Sequence, residues 1–487
     1  MTFDPRDNSS TPSRQAHDTA APRNLIQFML KDWKSPTGPQ PRPAKNAAQH
    51  EARRTALSKL FPGETLVIPT GRRKVRANDT HYPFRPGSDF FYLTGCWEPD
   101  CVLILEPTSS GHDALLFVEP NLGKADPSFF TDRVKGELWE GPRPTVEAAA
   151  ALYGIAATSG LPALGATLKR LIVPGSRWRA LRGHDATLES QLSAPGPHQW
   201  TRDQELTTAL SEMRLHKDAA EVKELQAAID ATLKGFEDVI RRLKTAKSER
   251  ELEGVFWTRA RMEGNDVGYG SIVASGEHAC TLHWKKNDGH IRKGDLLLLD
   301  AGIEGHSLYT ADITRTMPVS GRFTKDQKTI YELVLAAQEV AMKQVKPGND
   351  FMAPNTAAMA VLAHGLEKLG ILKCSAEEAL KEENQFYKRY TLHNVSHMLG
   401  IDVHDCAAAR AEAYKFGQLK PGMVLTVEPG LYFQPDDLTV PARYRGIGVR
   451  IEDNVLVTAS GCKVLSARIP KKTAELERWM KRLWAKR

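Results

Sequence analysis

The stretch "LLLLDAGIEGHSLYTADITRT", residues 296–316, places Asp300 at the end of four consecutive leucines. A continuous apolar run of this kind is typical of a strand that is covered on both faces. Asp312 follows a glycine-containing turn and opens a second β-rich run, "ITRT". The sequence therefore predicts two carboxylates on neighbouring strands of one interior sheet. Because a buried unpaired charge is costly, basic side chains or metal ions must compensate these two acids.

The length and composition of the chain restrict its class. Its 487 residues predict two or three domains, and 41% apolar with 26% charged residues is typical of a soluble globular protein. The net charge of +7 is modest, and we interpret the basic tail "RWMKRLWAKR" as a solvated amphipathic helix. No run of about 18 apolar residues indicates a transmembrane span. We therefore expect neither a nucleic acid nor a membrane as partner.

The cysteines and the start of the chain indicate the compartment. Six cysteines occur without a C-x-x-C pair, which argues against a thiolate zinc site and against a disulfide framework. The first residues lack the basic and apolar regions of a secretory signal. A cytoplasmic location is therefore expected.

Three regions of different character follow one another. Residues 1–45, rich in Ser, Thr, Pro and charge, predict a mostly disordered extension with one short helix in "NLIQFMLKDW". Residues 46–205 alternate short strands with helices, which predicts an α/β N-terminal domain. Its predicted strands are "ETLVIPTG", "DFFYLTGC", "CVLILEP" and "ALLFVEP".

After the break "LSAPGPHQW", residues 206–487 predict an α+β domain. Two long helical patterns come first and are followed by mixed strands and helices. The predicted strands of this domain include "GDLLLLDAG", "MVLTVEPGLYF" and "GIGVRIEDNVLVT".

Three further segments of this domain carry polar residues in apolar surroundings. Glu428 ends an apolar strand before a Pro-Gly turn, and Arg450 with Glu452 is expected on one face of a strand. The segment "TLHNVSHMLGIDVHD" contains three histidines, His393, His397 and His404. Singly, these residues have ordinary interpretations: a satisfied core histidine, a surface acid at a strand end, or a salt bridge of little energy.

Together they indicate a metal site. Four carboxylates cannot share a dry site without cations, because each raises the pKa of the others. Two divalent ions would balance four negative charges, and oxygen-rich ligation with one imidazole favours Mn²⁺, Co²⁺ or Mg²⁺ over a closed structural zinc site. A metal pair can deprotonate water and clamp the oxygens of a tetrahedral intermediate. The predicted ligands are Asp300, Asp312, His397, Glu428 and Glu452.

The motifs "DAG…DITRT", "HNVSHMLGIDVHD", "TVEPGLYF" and "YRGIGVRIED" resemble the successive signatures of the pita-bread-fold metallopeptidases, family M24. Among these they are most similar to the Xaa-Pro aminopeptidases (aminopeptidase P). "THYPFRPGSDFFYLTG" and "EMRLHKDAAEV" are similar to that family's N-terminal domain and interdomain helix. The resemblance covers nearly everything after residue 46. It implies an α/β N-terminal domain plus an α+β catalytic domain with the pita-bread (creatinase/aminopeptidase) fold.

The resemblance also implies roles for individual residues. It makes the same five residues the ligands of two ions, most often Mn²⁺ and alternatively Co²⁺ or Zn²⁺, with a hydroxide between the ions attacking the scissile carbonyl. Glu428 would handle the proton, His404 would polarise the carbonyl, and Arg450 would orient a bridging carboxylate. The residues expected to line the substrate pocket are His283, His393 and Tyr432.

The implied activity is release of the N-terminal residue from peptides with proline in second position, by a homodimer or homotetramer. Three alternatives stay open. A prolidase shares the fold and metals but tends to have longer inserts between its last ligands, and a methionine aminopeptidase lacks a comparable N-terminal domain. A non-catalytic binding module of this fold typically loses one or more ligands.

Three positions depart from the family pattern. The stretch from Asp300 to Asp312 is one residue longer than expected, so a bulge or a longer turn is needed. Asn394 stands where glycine is usual and is expected to alter the pocket wall. Phe91 stands where tryptophan is common, and its side chain is expected to face a neighbouring subunit.

Overall fold

The computed structural model describes residues 21–34, 41–78, 80–192 and 197–485. The chain divides into two compact units, Met1–Ala194 and Pro195–Arg487. Much of the predicted N-terminal extension, residues 1–20 and 35–40, lies outside the described residues. Within it, the predicted short helix is confirmed over Arg23–Met29. Trp33 follows this helix and packs on the rings of Phe129 and Phe130 at centroid distances of 6.3 and 6.2 Å.

The first unit is built on a mixed five-stranded sheet. Its helices are α1 (Arg23–Met29), α2 (Ala47–Leu60), α3 (Ser88–Thr94), α4 (Ser128–Thr131), α5 (Glu137–Glu140), α6 (Val146–Tyr153), α7 (Leu164–Leu171) and α8 (Ala186–Gln191). Its strands are β1 (Thr65–Pro69), β2 (Val75–Ala77), β3 (Thr80–His81), β4 (Val102–Pro107), β5 (His112–Val118), β6 (Ala157–Gly160) and β7 (Trp178–Ala180). The sheet order is β6-β5-β4-β1-β7, with the two outermost pairs parallel and the inner pairs antiparallel.

One predicted strand of this unit is wrong. "DFFYLTGC" forms helix α3, which begins after Gly87 and ends at Gly95 in a left-handed conformation, φ +67°. The aromatic run favours a strand by local propensity, but packing of the buried residues 90–94 overrides that preference. Phe91 is itself buried within the chain and packs edge-on against Trp97. The expectation that it faces a neighbouring subunit stays a prediction.

The second unit contains the remaining helices and strands. Its helices are α9 (Pro197–Arg214), α10 (Ala219–Leu243), α11 (Glu249–Glu263), α12 (Lys325–Gln344), α13 (Ala353–Lys368), α14 (Ala376–Leu380) and α15 (Thr473–Ala485). Its strands are β8 (Asp266–Val267), β9 (Ile272–Ser275), β10 (Leu296–Ala301), β11 (Ile303–Glu304), β12 (Ile313–Pro318), β13 (Val424–Val427), β14 (Gly430–Tyr432), β15 (Gly448–Arg450), β16 (Asp453–Val457) and β17 (Cys462–Val464). Short 3₁₀ turns occupy Leu161–Ala163 in the first unit and Gly276–Cys280, Phe386–Arg389 and Ala442–Tyr444 in the second.

The leucine run forms the central strand of an antiparallel sheet with the order β12-β10-β9. All six residues of β10 are buried, which confirms the predicted strand covered on both faces. Asp300 pairs with Thr314 of β12 and with Ile272 of β9. Asp312 immediately precedes β12, so both acids lie at the same end of this sheet.

The segment between the two acids forms a hairpin excursion. Strand β11 pairs with β8, and Glu304 forms an isolated bridge with Thr310. The Gly305 N–H donates to the Tyr309 carbonyl at 2.9 Å, and Leu308 adopts a left-handed φ of +64°. A longer turn, as the spacing of the acids required, therefore returns the chain to the sheet.

The predicted strand "GIGVRIEDNVLVT" is interrupted. β15 ends at Arg450 and pairs with β14, whereas β16 begins at Asp453 and pairs with β13. The chain changes sheets at Ile451–Glu452, so Arg450 and Glu452 do not share one continuous strand. This break places Glu452 between two small sheets, where it is buried.

The C-terminal amphipathic helix is confirmed as α15, whose buried side includes Leu476, Trp479 and Met480. The Trp484 indole N–H donates to the Ile240 carbonyl at 2.6 Å, which fastens the helix to α10. Among the described residues, no helix combines the length and apolar character that crossing a membrane requires.

Candidate metal centre

One cavity of about 470 Å³ in the second unit collects most of the predicted site residues. It is lined by nine of the ten: His283, Asp300, Asp312, His393, His397, His404, Glu428, Arg450 and Glu452. The tenth, Tyr432, contacts two of these residues by hydrogen bonds. The sequence prediction therefore identified residues that the fold brings together, although they come from five separate segments.

Tyr269 joins the first two acids, and the sequence analysis missed it. Its hydroxyl lies 2.6 Å from Asp300 Oδ1 and 2.5 Å from Asp312 Oδ1. A phenol has one hydrogen and can donate to only one carboxylate at a time. Burial raises the pKa of Tyr269 well above its ordinary value, so the phenol stays protonated. Its neighbours "VGYGS" give no local sign of this contact.

His397 lies between two acids. Its Nε2 atom is 3.2 Å from Asp312 Oδ2 and 3.4 Å from Glu428 Oε1. Its Nδ1 atom is 3.1 Å from the Met398 carbonyl oxygen, which can only accept a hydrogen bond. With Nδ1 donating, Nε2 is left as the nitrogen for a ligand.

The donor atoms of Asp312, His397 and Glu452 all lie within 4.8 Å of one another, close enough to bind one ion. Asp300 is connected to this group through Tyr269, and Glu428 through His397. Carboxylate oxygens with one imidazole nitrogen suit a divalent ion such as Mn²⁺, Co²⁺ or Zn²⁺. The residues present therefore fit a divalent metal.

The electrostatics of the metal-free site show why it needs cations. Burial raises the pKa of Asp312, raises that of Glu428 to about 7, and raises that of Glu452 well above its ordinary value. Burial alone would lower the pKa of His397, but Asp312 and Glu428 together raise it to about 9. In the absence of metal, these acids therefore keep their protons to higher pH than free carboxyl groups do, and divalent ions would take the place of those protons.

Arg450 positions two of the acids, Asp300 and Glu452, through hydrogen bonds. Its guanidinium forms an ion pair with Asp300 Oδ2, and its Nε donates to Thr314 Oγ1 at 3.2 Å. The Thr314 hydroxyl in turn donates to Glu452 Oε2 at 2.7 Å. Arg450 thus orients Asp300 directly and Glu452 through Thr314, a residue that the sequence analysis did not single out.

A chain of hydrogen bonds fixes His393. Arg450 Nη1 donates to the Tyr432 hydroxyl at 2.9 Å, and that hydroxyl lies 2.8 Å from His393 Nε2. His393 Nδ1 is 2.9 Å from the Asn394 carbonyl, which accepts, so Tyr432 donates to Nε2. Burial lowers the pKa of His393 to about 4, so this ring is neutral near pH 7.

The loop that carries His283 is held by Glu249, which the sequence analysis also missed. Glu249 is fully buried and accepts from the backbone N–H groups of Ser275 and Gly289 at 2.8 and 2.7 Å. It also binds the Trp284 indole and His278 Nδ1, each at 2.8 Å. The two rings stack with centroids 3.9 Å apart. One buried carboxylate therefore fixes the loop over residues 275–289.

His404 packs edge-on against His397, with ring centroids 4.4 Å apart, and burial lowers its pKa. The next residue, Asp405, is fully buried and accepts from Arg214 Nε at 3.0 Å and from Lys217 Nζ at 3.1 Å. These two cations, from the end of α9 and the turn after it, anchor the segment that carries His404.

Comparison with known proteins gives the class. Residues 223–459 match the model of metallopeptidase family M24, and residues 50–178 match the N-terminal domain of aminopeptidase P. The chain belongs to metallopeptidase family M24. The predicted fold class, an α/β N-terminal domain with an α+β pita-bread domain, is thereby confirmed.

Individual relatives make the likeness more specific. Xaa-Pro aminopeptidase 1 of Streptomyces coelicolor is 50% identical over 458 residues, which cover 94% of this chain and 91% of the relative. Xaa-Pro aminopeptidase of Escherichia coli is 33% identical and covers 89% of this chain and 97% of the relative. The structure of aminopeptidase P from E. coli with the inhibitor Pro-Leu has a TM-score of 0.81 at 31% identity, covering 90% of this chain and 99% of that one.

Proposed function

We propose that this protein is an aminopeptidase that removes the N-terminal residue from peptides with proline in second position. The observation that carries the proposal is the convergence of the predicted ligands and three histidines on one cavity. Similarity to Xaa-Pro aminopeptidases over most of the chain supports the same substrate class.

The proposed ligands of a pair of divalent ions, with Mn²⁺ favoured, are Asp300, Asp312, His397, Glu428 and Glu452. When bound, such ions supply Lewis-acid polarisation and lower the pKa of water. Glu428 Oε2 lies 3.7 Å from Nδ1 of His393, a residue expected to line the substrate pocket. Glu428 is proposed to accept the proton of the attacking water and to pass it to the departing proline nitrogen.

The remaining roles concern orientation. His404 is proposed to donate a hydrogen bond to the scissile carbonyl oxygen, and the neutral ring of His393, held by Tyr432, is proposed to line the proline pocket with His283. A Xaa-Pro bond has no N–H and a fixed φ, so it cannot be held like an ordinary extended backbone. A pocket that recognises the ring rather than the backbone amide answers that difficulty.

The test uses full-length protein stripped with chelator and reloaded with Mn²⁺. It is given the tripeptide Ala-Pro-Ala, the dipeptide Ala-Pro and the control tripeptide Ala-Ala-Ala. Release of alanine from Ala-Pro-Ala alone, lost again on chelation, supports the proposal. Preference for Ala-Pro would make the protein a prolidase. No hydrolysis with metal bound would indicate a binding module of this fold.

Two further statements stay predictions from the sequence and the family resemblance: a cytoplasmic location and a homodimer or homotetramer. Light scattering during gel filtration of the full chain gives the oligomeric state directly.

A further inference from the structure

Lys285 brings a positive charge into the cavity that the proposed chemistry does not use. It is the one lysine among the described residues that line this cavity. Arg450, the other permanently charged cation there, is already paired with Asp300. Within the described ranges, no carboxylate forms an ion pair with the Lys285 ammonium. Among the described residues, the ammonium of this lining residue therefore has no carboxylate partner.

The side chain of Lys285 is exposed to solvent and contributes to the lining of the cavity. His283 and Lys285 both line the cavity, whereas Trp284 between them points to the buried carboxylate of Glu249. The Lys285 backbone N–H donates to the His283 carbonyl at 2.9 Å, so His283 and Lys285 flank a tight turn at Trp284. Lys286 belongs to the other side, with its ammonium 6.0 Å from the centre of the Trp284 ring.

The stem of Lys285 lies over a glycine. A Cβ atom placed on Gly270 would lie 3.4 Å from Lys285 Cδ, so the stem is in van der Waals reach of this backbone. Gly270 follows Tyr269, whose hydroxyl contacts the first two acids of the metal site. The stem thus crosses the wall of the cavity beside the proposed metal ligands.

We propose that Lys285 binds the C-terminal carboxylate of short substrates and so favours tripeptides, Xaa-Pro-Yaa, with a free carboxyl end. The inference rests on the proposed function for the position of the scissile bond. With the proline beside His283, the chain continues toward Lys285, two residues further along the loop. The carboxylate of Yaa lies roughly 7 Å from the scissile carbonyl, since an extended chain advances about 3.3–3.6 Å per residue. A lysine side chain spans such a distance, and the cavity volume is in the range of small-ligand pockets.

The experiment compares Ala-Pro-Ala with its C-terminal amide in the Mn²⁺-loaded full-length protein and in three variants. For the wild type, kcat/KM for the acid should exceed that for the amide by roughly two- to fivefold, the range for one exposed charged pair. Lys285→Gln should bring the ratio close to one, mainly through KM for the acid, and Lys285→Arg should restore it. Lys286→Gln is the matched control and should keep the wild-type ratio.

A second measurement avoids turnover. Calorimetric titration with the dipeptide Pro-Leu and with Pro-Leu amide should show the same preference for the acid, lost in Lys285→Gln. If the wild type bound Pro-Leu and its amide with equal Kd and cleaved Ala-Pro-Ala and its amide with equal kcat/KM, the role of Lys285 would be overturned. The proposed function would still stand. An equal loss of preference in both lysine variants would also overturn the role of Lys285, because general charge would then explain the effect. Failure to cleave any Xaa-Pro peptide would instead contradict the proposed function.

Discussion

The Nε2 atom of His397 faces Oδ2 of Asp312 at 3.2 Å because the opposite nitrogen of the ring donates to a backbone carbonyl. Nε2 is thus the nitrogen that gives up its proton when a ligand binds. Once deprotonated, it and the carboxylate oxygen point into one space, as the two ligands of a single ion do.

His397→Ala should remove this nitrogen and abolish turnover of Ala-Pro-Ala, with metal content after dialysis falling by about half or more. Metal analysis together with the rate of alanine release checks the result. His364→Ala is the control, because that histidine is exposed on α13 and bonds only Ala360 and Glu377 in the described structure. Full activity and full metal content in His397→Ala would contradict the ligand assignment.

The stability of chelated protein should fall as pH rises from about 5 to 9. Both Glu428, with a pKa of about 7, and His397, with a pKa of about 9, bind protons more tightly in the folded than in the unfolded state. Their stabilising contribution is complete below the unfolded values and is lost as pH passes through the folded ones. Metal binding must displace the same protons, so the Tm gain on adding Mn²⁺ should widen with pH.

Thermal unfolding across this pH range, with chelator and with Mn²⁺, measures both trends in one preparation. A Tm gain from Mn²⁺ that narrowed with rising pH would show that the ions do not replace protons at these residues.

Asp405→Asn should destabilise the protein by about 3–5 kcal/mol, because it removes the charge of the buried carboxylate that Arg214 and Lys217 share. Urea unfolding of the metal-loaded protein measures the change. Arg410→Gln is a suitable comparison, since it removes an exposed ion pair with Glu212 and should leave the midpoint within error. Similar urea midpoints for both variants would show that the buried cluster of Asp405 with its two cations stabilises the protein no more than an exposed ion pair does.

Gly302→Ala should damage the hairpin that returns the chain from Asp300 to Asp312. A Cβ atom there would lie 1.6 Å from the Ala311 carbonyl oxygen, so the backbone must move. We expect a loss of roughly 1–3 kcal/mol in stability and weaker Mn²⁺ binding. Calorimetric Mn²⁺ titration and Tm are the measurements. At Gly461 an added Cβ atom meets no atom within 4 Å, so Gly461→Ala should leave Tm and Mn²⁺ affinity unchanged. Unchanged Mn²⁺ affinity in Gly302→Ala would argue against strict positioning of the two acids.

The acids proposed as metal ligands and the three histidines between residues 393 and 404 could be singled out because their signal is local, whereas His283 was singled out by the family resemblance. Asp300 follows a run of four leucines, so the sequence alone shows an acidic residue at a position where a buried apolar residue is expected. The fully buried β10 and the amphipathic α15 were predictable for the same reason.

The supporting residues were not predictable, because their partners are distant in sequence. Tyr269 contacts Asp312, Glu249 holds Trp284, and Lys217 meets Asp405 only after the chain has folded. The helix over Ser88–Thr94 and the break at Ile451–Glu452 escaped prediction because packing, rather than local preference, decides them.

The scattering of the proposed ligands along the chain has a consequence for biosynthesis. During translation Asp300 and Asp312 emerge long before Glu452, and the hairpin between the first two acids cannot by itself gather the full set. A nascent or truncated chain that lacks the strand after Arg450 is therefore expected to leave the ions in solution. Metal binding should therefore begin only after the segment with Glu452 has been synthesised and folded. The time course of metal binding in a cell-free synthesis reaction would measure when this step occurs.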